Sequence, residues 1–296
     1  MTTPPPRSDS HRSAEIARPR LRTIRPSSRF ASFDLPELWA YRDLLTTLAL
    51  RDIMLRYRQT ALGVTWVLVQ PLVGAGLLTI VFGSIAGLAK GGGTAYFLLT
   101  FAGQIFYVAY AGILTKVAAS LVGNTGLVSK VYFPRLILPL STAASPLLDF
   151  AVGFCLLVPL LLVFHAPPGL PILTLPFWIA FALLLSLGWG LIAAAMVVAY
   201  RDVAHILPVL MQFLNFGSPV GWTLDRINQK WIPLYLLLNP LAVFLEGFRW
   251  SLFSRDGSGF PIPCGYVIYA VVISIGMFVA GMMLFRNRER RFADVI

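Results

Sequence analysis

The stretch GNTGLVSKVYFPRLILPL, residues 123–140, separates two long apolar runs and decides how the chain is placed in a membrane. It carries Lys130 and Arg135 but no acidic residue. Short loops rich in Lys and Arg stay on the cytoplasmic side of a membrane. Before Pro134, which ends the pattern, apolar residues recur at helical spacing, namely Leu127, Val128, Val131 and Tyr132. The pattern predicts a short helix on the inner membrane surface that docks into a soluble partner, or else an ordinary loop.

The amino-acid composition is that of an integral membrane protein. Of the 296 residues, 57% are apolar and 12% are charged, and the mean hydropathy is +0.75. A water-soluble protein of this length needs more polar surface. The net charge of +11 comes mostly from the two ends, since eleven of the 24 Lys and Arg residues precede Leu62 and four follow Phe285. This distribution favours contact with anionic membrane lipids and argues against nucleic acid.

The chain divides into four predicted parts. Residues 1–34 form a disordered basic tail, because they include too few large apolar residues to bury a core. Residues 35–61 form an amphipathic helix in the cytoplasmic headgroup region. The apolar side of this helix consists of Leu38, Tyr41, Leu45, Leu48 and Ala49. Residues 62–285 form a transmembrane domain, and residues 286–296 form a cytoplasmic C-terminus.

Six apolar runs follow the amphipathic helix, and about twenty residues suffice to cross the hydrocarbon core. These runs are residues 62–89, 96–122, 136–164, 177–200, 206–222 and 266–285. If both termini are inside, the inner segments carry 19 Lys and Arg residues and the outer segments carry 5. This asymmetry follows the positive-inside rule. The sequence therefore predicts an all-α polytopic membrane protein with six transmembrane helices and both ends in the cytoplasm.

The segment between the fifth and sixth runs, residues 223–263, contains a shorter apolar piece that is broken by Asn239-Pro240. A seventh span there would force the C-terminal arginines outside. We predict two short re-entrant helices in the periplasmic leaflet, which are tolerated only where the backbone packs in protein or lines a cavity. The candidate gate residues are Trp231, Asn239, Glu246 and Arg249. The alternative is a structured outer loop without a gating role.

Aromatic residues cluster on the second and fifth runs. Rings that line a passage would let sugar faces slide along them without strong polar binding. Aromatic side chains are also common at membrane interfaces and against lipid, which is the competing interpretation. The predicted substrate-path residues are Phe101, Phe106, Tyr107, Tyr110, Phe213 and Phe216.

Motifs for nucleotide chemistry are missing from the sequence. No Gly-x-x-x-x-Gly-Lys-Ser/Thr phosphate loop occurs, so we expect no ATP, no other cofactor and no metal on this chain. Cys155 and Cys264 have neither the spacing of a metal site nor that of a disulfide framework. Asp149 is the deepest acidic residue in any apolar run. It is either a hydrogen-bonded structural group or the centre of a proton relay.

An ordered series of short blocks resembles the membrane subunits of ABC-type exporters for O-antigen, capsule, teichoic acid or cell-wall galactan. The resemblance extends from about residue 44 to residue 296. The blocks are RDI at 51–53, RYRQT at 56–60, LG at 62–63, Trp66, QP at 70–71, LVSKVYFPR at 127–135, YRDV at 200–203, NP at 239–240, EGFRW at 246–250 and FADVI at 292–296.

The resemblance implies a permease that works as a homodimer beside two copies of an ATPase subunit, which would bind the ATP and Mg. Residues 123–133 resemble the coupling helix of that family, and the implied coupling residues are Asn124, Leu127, Val128, Lys130, Val131, Tyr132 and Arg135. Family substrates are polymers linked through diphosphate to a polyprenyl lipid. Arg51, Arg56 and Arg58 are candidate contacts for this head, because arginine forks match phosphate oxygens. Ordinary anchoring to membrane lipid is the alternative.

The sequence thus predicts a permease subunit of the bacterial inner membrane that exports a lipid-linked polysaccharide with energy from a separate ATPase. Three alternatives stay open. They are an exporter permease for a drug or small lipid, a proton-coupled carrier centred on Asp149, and a membrane enzyme that acts on polyprenyl-linked sugars. The lack of an acidic cluster at a membrane face argues against the enzyme.

Overall fold

The computed structural model describes residues 35–57, 65–89, 93–128, 133–255 and 259–295. Every regular element in these ranges is helical. The helices are α1 (Leu35–Ala40), α2 (Arg42–Tyr57), α3 (Thr65–Leu78), α4 (Gly93–Ala119), α5 (Thr125–Val128), α6 (Ile137–Thr142), α7 (Ala144–Val163), α8 (Leu175–Ala199), α9 (Asp202–Gly217), α10 (Ile232–Leu238), α11 (Pro240–Phe253) and α12 (Cys264–Val295). A π-helical segment, Thr79–Ile85, extends α3. The predicted tail, residues 1–34, lies outside the described residues.

Five helical stretches are long and apolar enough to cross a membrane. They are Thr65–Ile85, Ala95–Ala119, Ile137–Val163, Leu170–Ala199 and Cys264–Arg288. Helices of this kind satisfy all their backbone hydrogen bonds internally, as a membrane core requires. The chain is therefore a polytopic all-α membrane protein, which confirms the predicted fold class.

The fifth predicted run is shorter in the structure than a full span. It forms α9, which ends at Gly217 after 16 residues. At 1.5 Å per residue this helix is about 24 Å long, less than the hydrocarbon core of about 30 Å. The helix ends there because Ser218 is extended, with φ −93° and ψ 155°.

The two short helices predicted after the fifth run are present as α10 and α11, which meet at an angle of 102°. Pro240 begins α11, and a proline disfavours helical backbone in the residue before it. Asn239 accordingly leaves the helical region, with φ −125° and ψ 78°, and ends α10. Counted as one broken span, the pair raises the number of candidate spans in the described residues from five to six.

The centre of the bundle is α4, which packs against α3, α7 and α8. The protein buries 72% of the most apolar stretch of α4, compared with 22% for that of α12. Helices α8 and α12 approach each other closely, since a Cβ atom on Gly281 would lie 2.5 Å from the carbonyl oxygen of Gly188. Small residues of this kind let helix backbones come close in a membrane. Because α12 continues to Val295, no helix end marks the predicted domain boundary after residue 285.

The predicted amphipathic helix corresponds to α1 and α2, which end at Tyr57. Its predicted apolar side packs on α6 and α7, with Leu48 and Ala49 buried and Leu38, Tyr41 and Leu45 half-buried. Several large apolar side chains of α2 face away from this contact, and these are Leu50, Met54 and Leu55. The packing of α2 on the bundle follows from its apolar spacing, whereas its place in the headgroup region stays a prediction.

Candidate functional site

The predicted coupling segment, residues 123–133, follows shortly after the end of α4. The chain makes a short 3-10 turn, Val122–Asn124, and then the four-residue helix α5. Thr125 and Gly126 are exposed, whereas Leu127 is half-buried and packs on the hydrophobic core near α6. Arg135 lies half-buried in the turn before α6. Among the predicted coupling residues, Lys130, Val131 and Tyr132 lie outside the described residues, and Val128 ends α5.

Asn124 joins the coupling segment to two helices. Its amide nitrogen donates to the main-chain oxygen of Ser120 at the end of α4, at 2.9 Å. Its amide oxygen accepts a hydrogen bond of 2.7 Å from the Arg51 guanidinium of α2. Arg51 also pairs with Asp52, with an Nη2–Oδ1 distance of 3.1 Å. A predicted headgroup contact and a predicted coupling residue are therefore bonded to each other.

The second candidate headgroup arginine, Arg56, is paired with the deepest acid. Arg56 Nη1 lies 2.7 Å from Oδ2 of Asp149 on α7. The Tyr57 hydroxyl donates to the other carboxylate oxygen at 2.7 Å. Burial and this hydrogen bond raise the pKa of Tyr57 to about 12, so Tyr57 is a neutral donor at physiological pH. These contacts support the structural interpretation of Asp149 over a proton relay. The third arginine, Arg58, lies outside the described residues.

A serine hydroxyl bridges this ion pair to α4. The buried Ser145 Oγ lies 3.3 Å from Arg56 Nη1 and 3.2 Å from Lys116 Nζ. Ser145 and Asp149 are one helical turn apart on α7, so they present their polar groups on the same side. In the described part of the chain, no carboxylate lies within ion-pair distance of Lys116. Arg56 and Asp149 neutralise each other, so the positive charge of Lys116 is the one that remains in this group of residues.

Arg56 and Lys116 line an open cleft of about 700 Å³ between α2 and the end of α4. The lining residues are Arg51, Asp52, Leu55, Arg56, Lys116, Gly123 and Asn124. Three of them are cationic and one is anionic, so the cleft favours an anionic group. We call it the basic cleft.

Two of the candidate gate residues form a buried ion pair on α11. Glu246 Oε1 lies 3.5 Å from Arg249 Nη1, and both side chains are less than 10% exposed. Arg249 also donates to the main-chain oxygen of Trp222, at 3.0 Å, and to that of Val220. A buried arginine with carboxylate and carbonyl partners fixes the turn after α9 against α11. Gly103 on α4 leaves the space for the guanidinium, since a Cβ atom there would lie 2.5 Å from Arg249 Nη2.

The other two gate candidates differ in their surroundings. Asn239 is buried, and its amide nitrogen donates to Ser218 Oγ at 3.0 Å. The Tyr235 hydroxyl of α10 donates to the main-chain oxygen of Gly217 at 2.8 Å. Trp231, which precedes α10, is 63% exposed. Hydrogen bonds therefore tie α10 and α11 to the end of α9, and a gating movement of this hairpin stays a prediction.

The six predicted substrate-path aromatics fall into two groups. Four of them are at most 4% exposed and belong to the main hydrophobic core, and these are Phe101, Phe106, Tyr107 and Tyr110. The Phe106 ring packs on Phe248 with 4.8 Å between the centroids, and the Tyr107 hydroxyl donates to the main-chain oxygen of Met211. In a single copy of the chain these four rings are enclosed by packing as core residues, which does not favour a place on the substrate path, and their role in that path stays a prediction. Aromatic residues occur both in protein cores and on lipid-facing surfaces, so the sequence alone does not distinguish these four from Phe213 and Phe216.

The remaining two aromatics, Phe213 and Phe216, are 73% and 51% exposed on α9. They share the outward side of this helix with other apolar residues, namely Ile206, Val209 and Leu210. Met211 is the buried residue of α9. This outward side is available to lipid, to a second copy of the chain or to a substrate.

The structure adds three residues to the predicted site. Lys116, Ser145 and Gly103 are not among the site residues predicted from the sequence. The spacing of Ser145 and Asp149 is a signal that indicates a polar side on the third span. No comparable signal joins Arg56 to Asp149, because that contact depends on how α2 packs.

The chemistry of the basic cleft is that of an anion site. In the ranges that the structure describes, no three His, Cys, Asp or Glu side chains lie together in a way that could hold a metal ion. Arginine and lysine in a cleft bind phosphate oxygens through charge-assisted hydrogen bonds. The arrangement is suited to holding an anionic headgroup next to the coupling segment.

Comparison with known proteins gives the family. Residues 43–253 match the model of the ABC-2 type transporter family. The chain is similar to an O-antigen export system permease protein RfbA of Myxococcus xanthus, with 24% identity over 262 residues, which cover 88% of this chain and 98% of that relative. It is also similar to two RfbA permeases of Klebsiella pneumoniae, at 24% and 23% identity, over 86% of this chain and 95% of each relative. Because the family match covers most of the chain, this protein belongs to the ABC-2 type transporter family.

Proposed function

We propose that this chain is the permease subunit of an ATP-driven exporter that moves a polyprenyl-diphosphate-linked polysaccharide across the bacterial inner membrane. The similarity to O-antigen export permeases over nearly the whole of both chains carries the proposal. The basic cleft supports it, because an anionic lipid head needs cationic partners where it enters the protein.

Energy comes from a separate ATPase subunit, present in two copies, that binds the ATP and Mg. The coupling segment is the docking point for this partner. Its support is the exposure of Thr125 and Gly126 at the end of a central helix, since a push on this end would reach the core of the bundle directly. The cytoplasm then contains the coupling segment, the basic cleft and both chain termini, in agreement with the distribution of Lys and Arg.

The passage lies between two copies of the chain. The packed core of one copy contains the four buried aromatics, which supports a passage beside the bundle and not through it. The outward side of α9, with Phe213 and Phe216, is the best candidate for a wall of this passage or for the contact between the copies. Rings that are exposed there offer flat surfaces to sugars.

Arg51 and Arg56 hold the diphosphate of the substrate in the basic cleft. Arginine suits this role because its planar fork donates two parallel hydrogen bonds to phosphate oxygens. The support is that both guanidinium groups line one cleft with Lys116. Anionic membrane lipids would compete for the same groups.

Reconstitution tests the proposed function. The purified permease, its cognate ATPase and lipid-linked polysaccharide are placed in proteoliposomes, and polymer that has crossed the membrane is measured. We expect translocation only with the ATPase and ATP-Mg, and none with an ATPase variant that binds but does not hydrolyse ATP. Polymer transport by the permease alone would contradict the coupled mechanism.

A further inference from the structure

The Arg56 guanidinium is one of the cationic groups of the basic cleft, and Asp149 is already paired with it. Arg56 lines the cleft with a side chain that is 34% exposed, whereas Asp149 behind it is 12% exposed. The guanidinium can therefore be reached from the cleft while its present carboxylate partner is shielded. An anion that enters the cleft competes with Asp149 for the same donor.

Charge balance favours this competition. Arg51 has Asp52 as a partner at 3.1 Å, and Arg56 has Asp149 at 2.7 Å. Lys116 has a hydrogen bond to Ser145 but no carboxylate partner in the described residues. A diphosphate carries more negative charge and more acceptor oxygens than one carboxylate, so it satisfies Lys116 and Arg56 together.

Tyr57 stabilises the Asp149 carboxylate when Arg56 leaves it. A buried carboxylate that loses its cation is costly unless another donor holds it. The Tyr57 hydroxyl already donates to the second oxygen of Asp149 at 2.7 Å. Asp149 therefore keeps one strong hydrogen bond when Arg56 turns towards the cleft.

We propose that Asp149 is a resident counter-ion of Arg56 that a phosphate or diphosphate headgroup in the basic cleft displaces. Asp149 thus acts through Arg56 as a positioning residue that sets headgroup affinity. While the cleft is empty, Asp149 neutralises Arg56. When a headgroup binds, Arg56 pairs with the headgroup instead of Asp149. This inference rests on the proposed function for its choice of headgroup.

The test measures binding of farnesyl diphosphate to the purified full-length permease in phosphatidylcholine nanodiscs, by calorimetry. We expect Asp149→Asn to tighten binding by about tenfold, because the competing charge is gone. Arg56→Gln weakens binding by about tenfold for loss of one charge-assisted contact. The double variant Arg56→Gln/Asp149→Asn behaves like Arg56→Gln alone, since Asp149 acts through Arg56.

A matched control removes the carboxylate of Asp43, which lies on α2, the helix that carries Arg56. Asp43 lies in the first turn of α2 with a side chain that is 92% exposed, so Asp43→Asn changes the net charge equally without touching the cleft. Equal tightening by Asp43→Asn and Asp149→Asn would reduce the effect to net charge and overturn the inference. Unchanged or weaker binding by Asp149→Asn would overturn it as well.

Tyr57→Phe gives a second test that needs no change in charge. Loss of the hydroxyl leaves Asp149 without its reserve donor, so Arg56 is released less readily and farnesyl diphosphate binds about threefold to tenfold more weakly. The two variants Asp149→Asn and Tyr57→Phe are therefore expected to change affinity in opposite directions. Binding by Tyr57→Phe that is as tight as in the unmodified protein would contradict the exchange even if Asp149→Asn fails to fold.

Other ligands identify the source of the headgroup. Farnesol has the same tail without phosphate and is expected not to bind, whereas inorganic diphosphate tests the head alone. Nanodiscs that contain phosphatidylglycerol test whether this membrane lipid displaces Asp149 from Arg56 in the same way. If it does, Asp149→Asn strengthens the competition of this lipid with farnesyl diphosphate. Because no ATPase or polymer is present, failure of this test with intact polymer export overturns the exchange alone.

Discussion

Arg51 Nη2 lies 2.7 Å from the amide oxygen of Asn124, a residue 73 positions further along the chain. This contact connects α2 to the first turn of the coupling segment. Asn124 also bonds to Ser120 at the end of α4. We therefore expect a displacement of the coupling segment to reach α2 as well as α4, and α2 carries the arginines of the basic cleft.

The first prediction concerns the efficiency of coupling. Asn124→Ala removes both hydrogen bonds, so we expect the polymer transported per ATP hydrolysed to fall about fivefold, as for a loss of about 1 kcal/mol of coupling. Asn124→Asp keeps an acceptor for Arg51 and retains more of the coupling. Both quantities are measured in proteoliposomes that contain the ATPase. The control is Asn228→Ala, a change to an exposed asparagine far along the chain. An unchanged ratio in Asn124→Ala would show that this contact transmits nothing.

The second prediction tests the docking surface. Gly126 is exposed, and a Cβ atom at this position would meet no atom within 4 Å. A bulky side chain at this position is therefore tolerated by the permease but blocks a partner that docks on α5. We expect Gly126→Trp to weaken binding of the ATPase by about tenfold or more and to leave the melting temperature unchanged.

Affinity is measured with detergent-solubilised permease on a sensor surface. The matched control is Gly265→Trp, because Gly265 lies in the first turn of the last span and a Cβ atom there would likewise meet no atom within 4 Å. Normal ATPase binding by Gly126→Trp would place the docking surface elsewhere.

Much of the fold could be predicted from the sequence because apolar runs have only one stable state in a membrane. The break at Asn239-Pro240 is likewise a local property of the backbone, and it predicts the bend between α10 and α11. The end of α9 differs from the prediction, since the apolar run continues to Trp222 whereas the helix ends at Gly217.

The candidate site was harder to predict because its contacts join distant parts of the chain. Arg51 and Asn124 were each singled out, but for different reasons, and nothing local indicates that they bond. The predicted substrate-path aromatics were hard to place for a different reason. Phe101 and Phe213 have the same chemistry in the sequence, and only the packing of α4 inside the bundle and of α9 at its surface distinguishes them.

The third prediction concerns the buried arginine of α11. A Cβ atom on Gly103 would lie 2.5 Å from Arg249 Nη2 and 2.8 Å from the main-chain oxygen of Val220. Gly103→Ala therefore displaces the guanidinium from its carbonyl partners, and we expect a loss of about 1–3 kcal/mol in stability. Thermal unfolding in detergent measures it as a lower melting temperature.

Gly76→Ala on α3 is the control for Gly103→Ala. A Cβ atom on Gly76 would meet nothing within 4 Å, so alanine at this helical position is expected to be neutral or stabilising by up to about 1 kcal/mol. Equal melting temperatures for Gly103→Ala and the unmodified protein would mean that Arg249 is not confined by α4.

The last prediction separates core aromatics from those of the passage. Phe101 is fully buried in the main core, so Phe101→Ala leaves a cavity and is expected to cost about 3–5 kcal/mol of stability. Phe213 is 73% exposed, and its replacement by alanine is expected to change stability by less than about 0.5 kcal/mol. If Phe213 contacts the polymer, Phe213→Ala slows export at an unchanged melting temperature and unchanged ATPase activity. Melting curves and export assays on the same preparations measure both effects. A Phe101→Ala variant with normal stability and abolished export would instead return Phe101 to the wall of the passage.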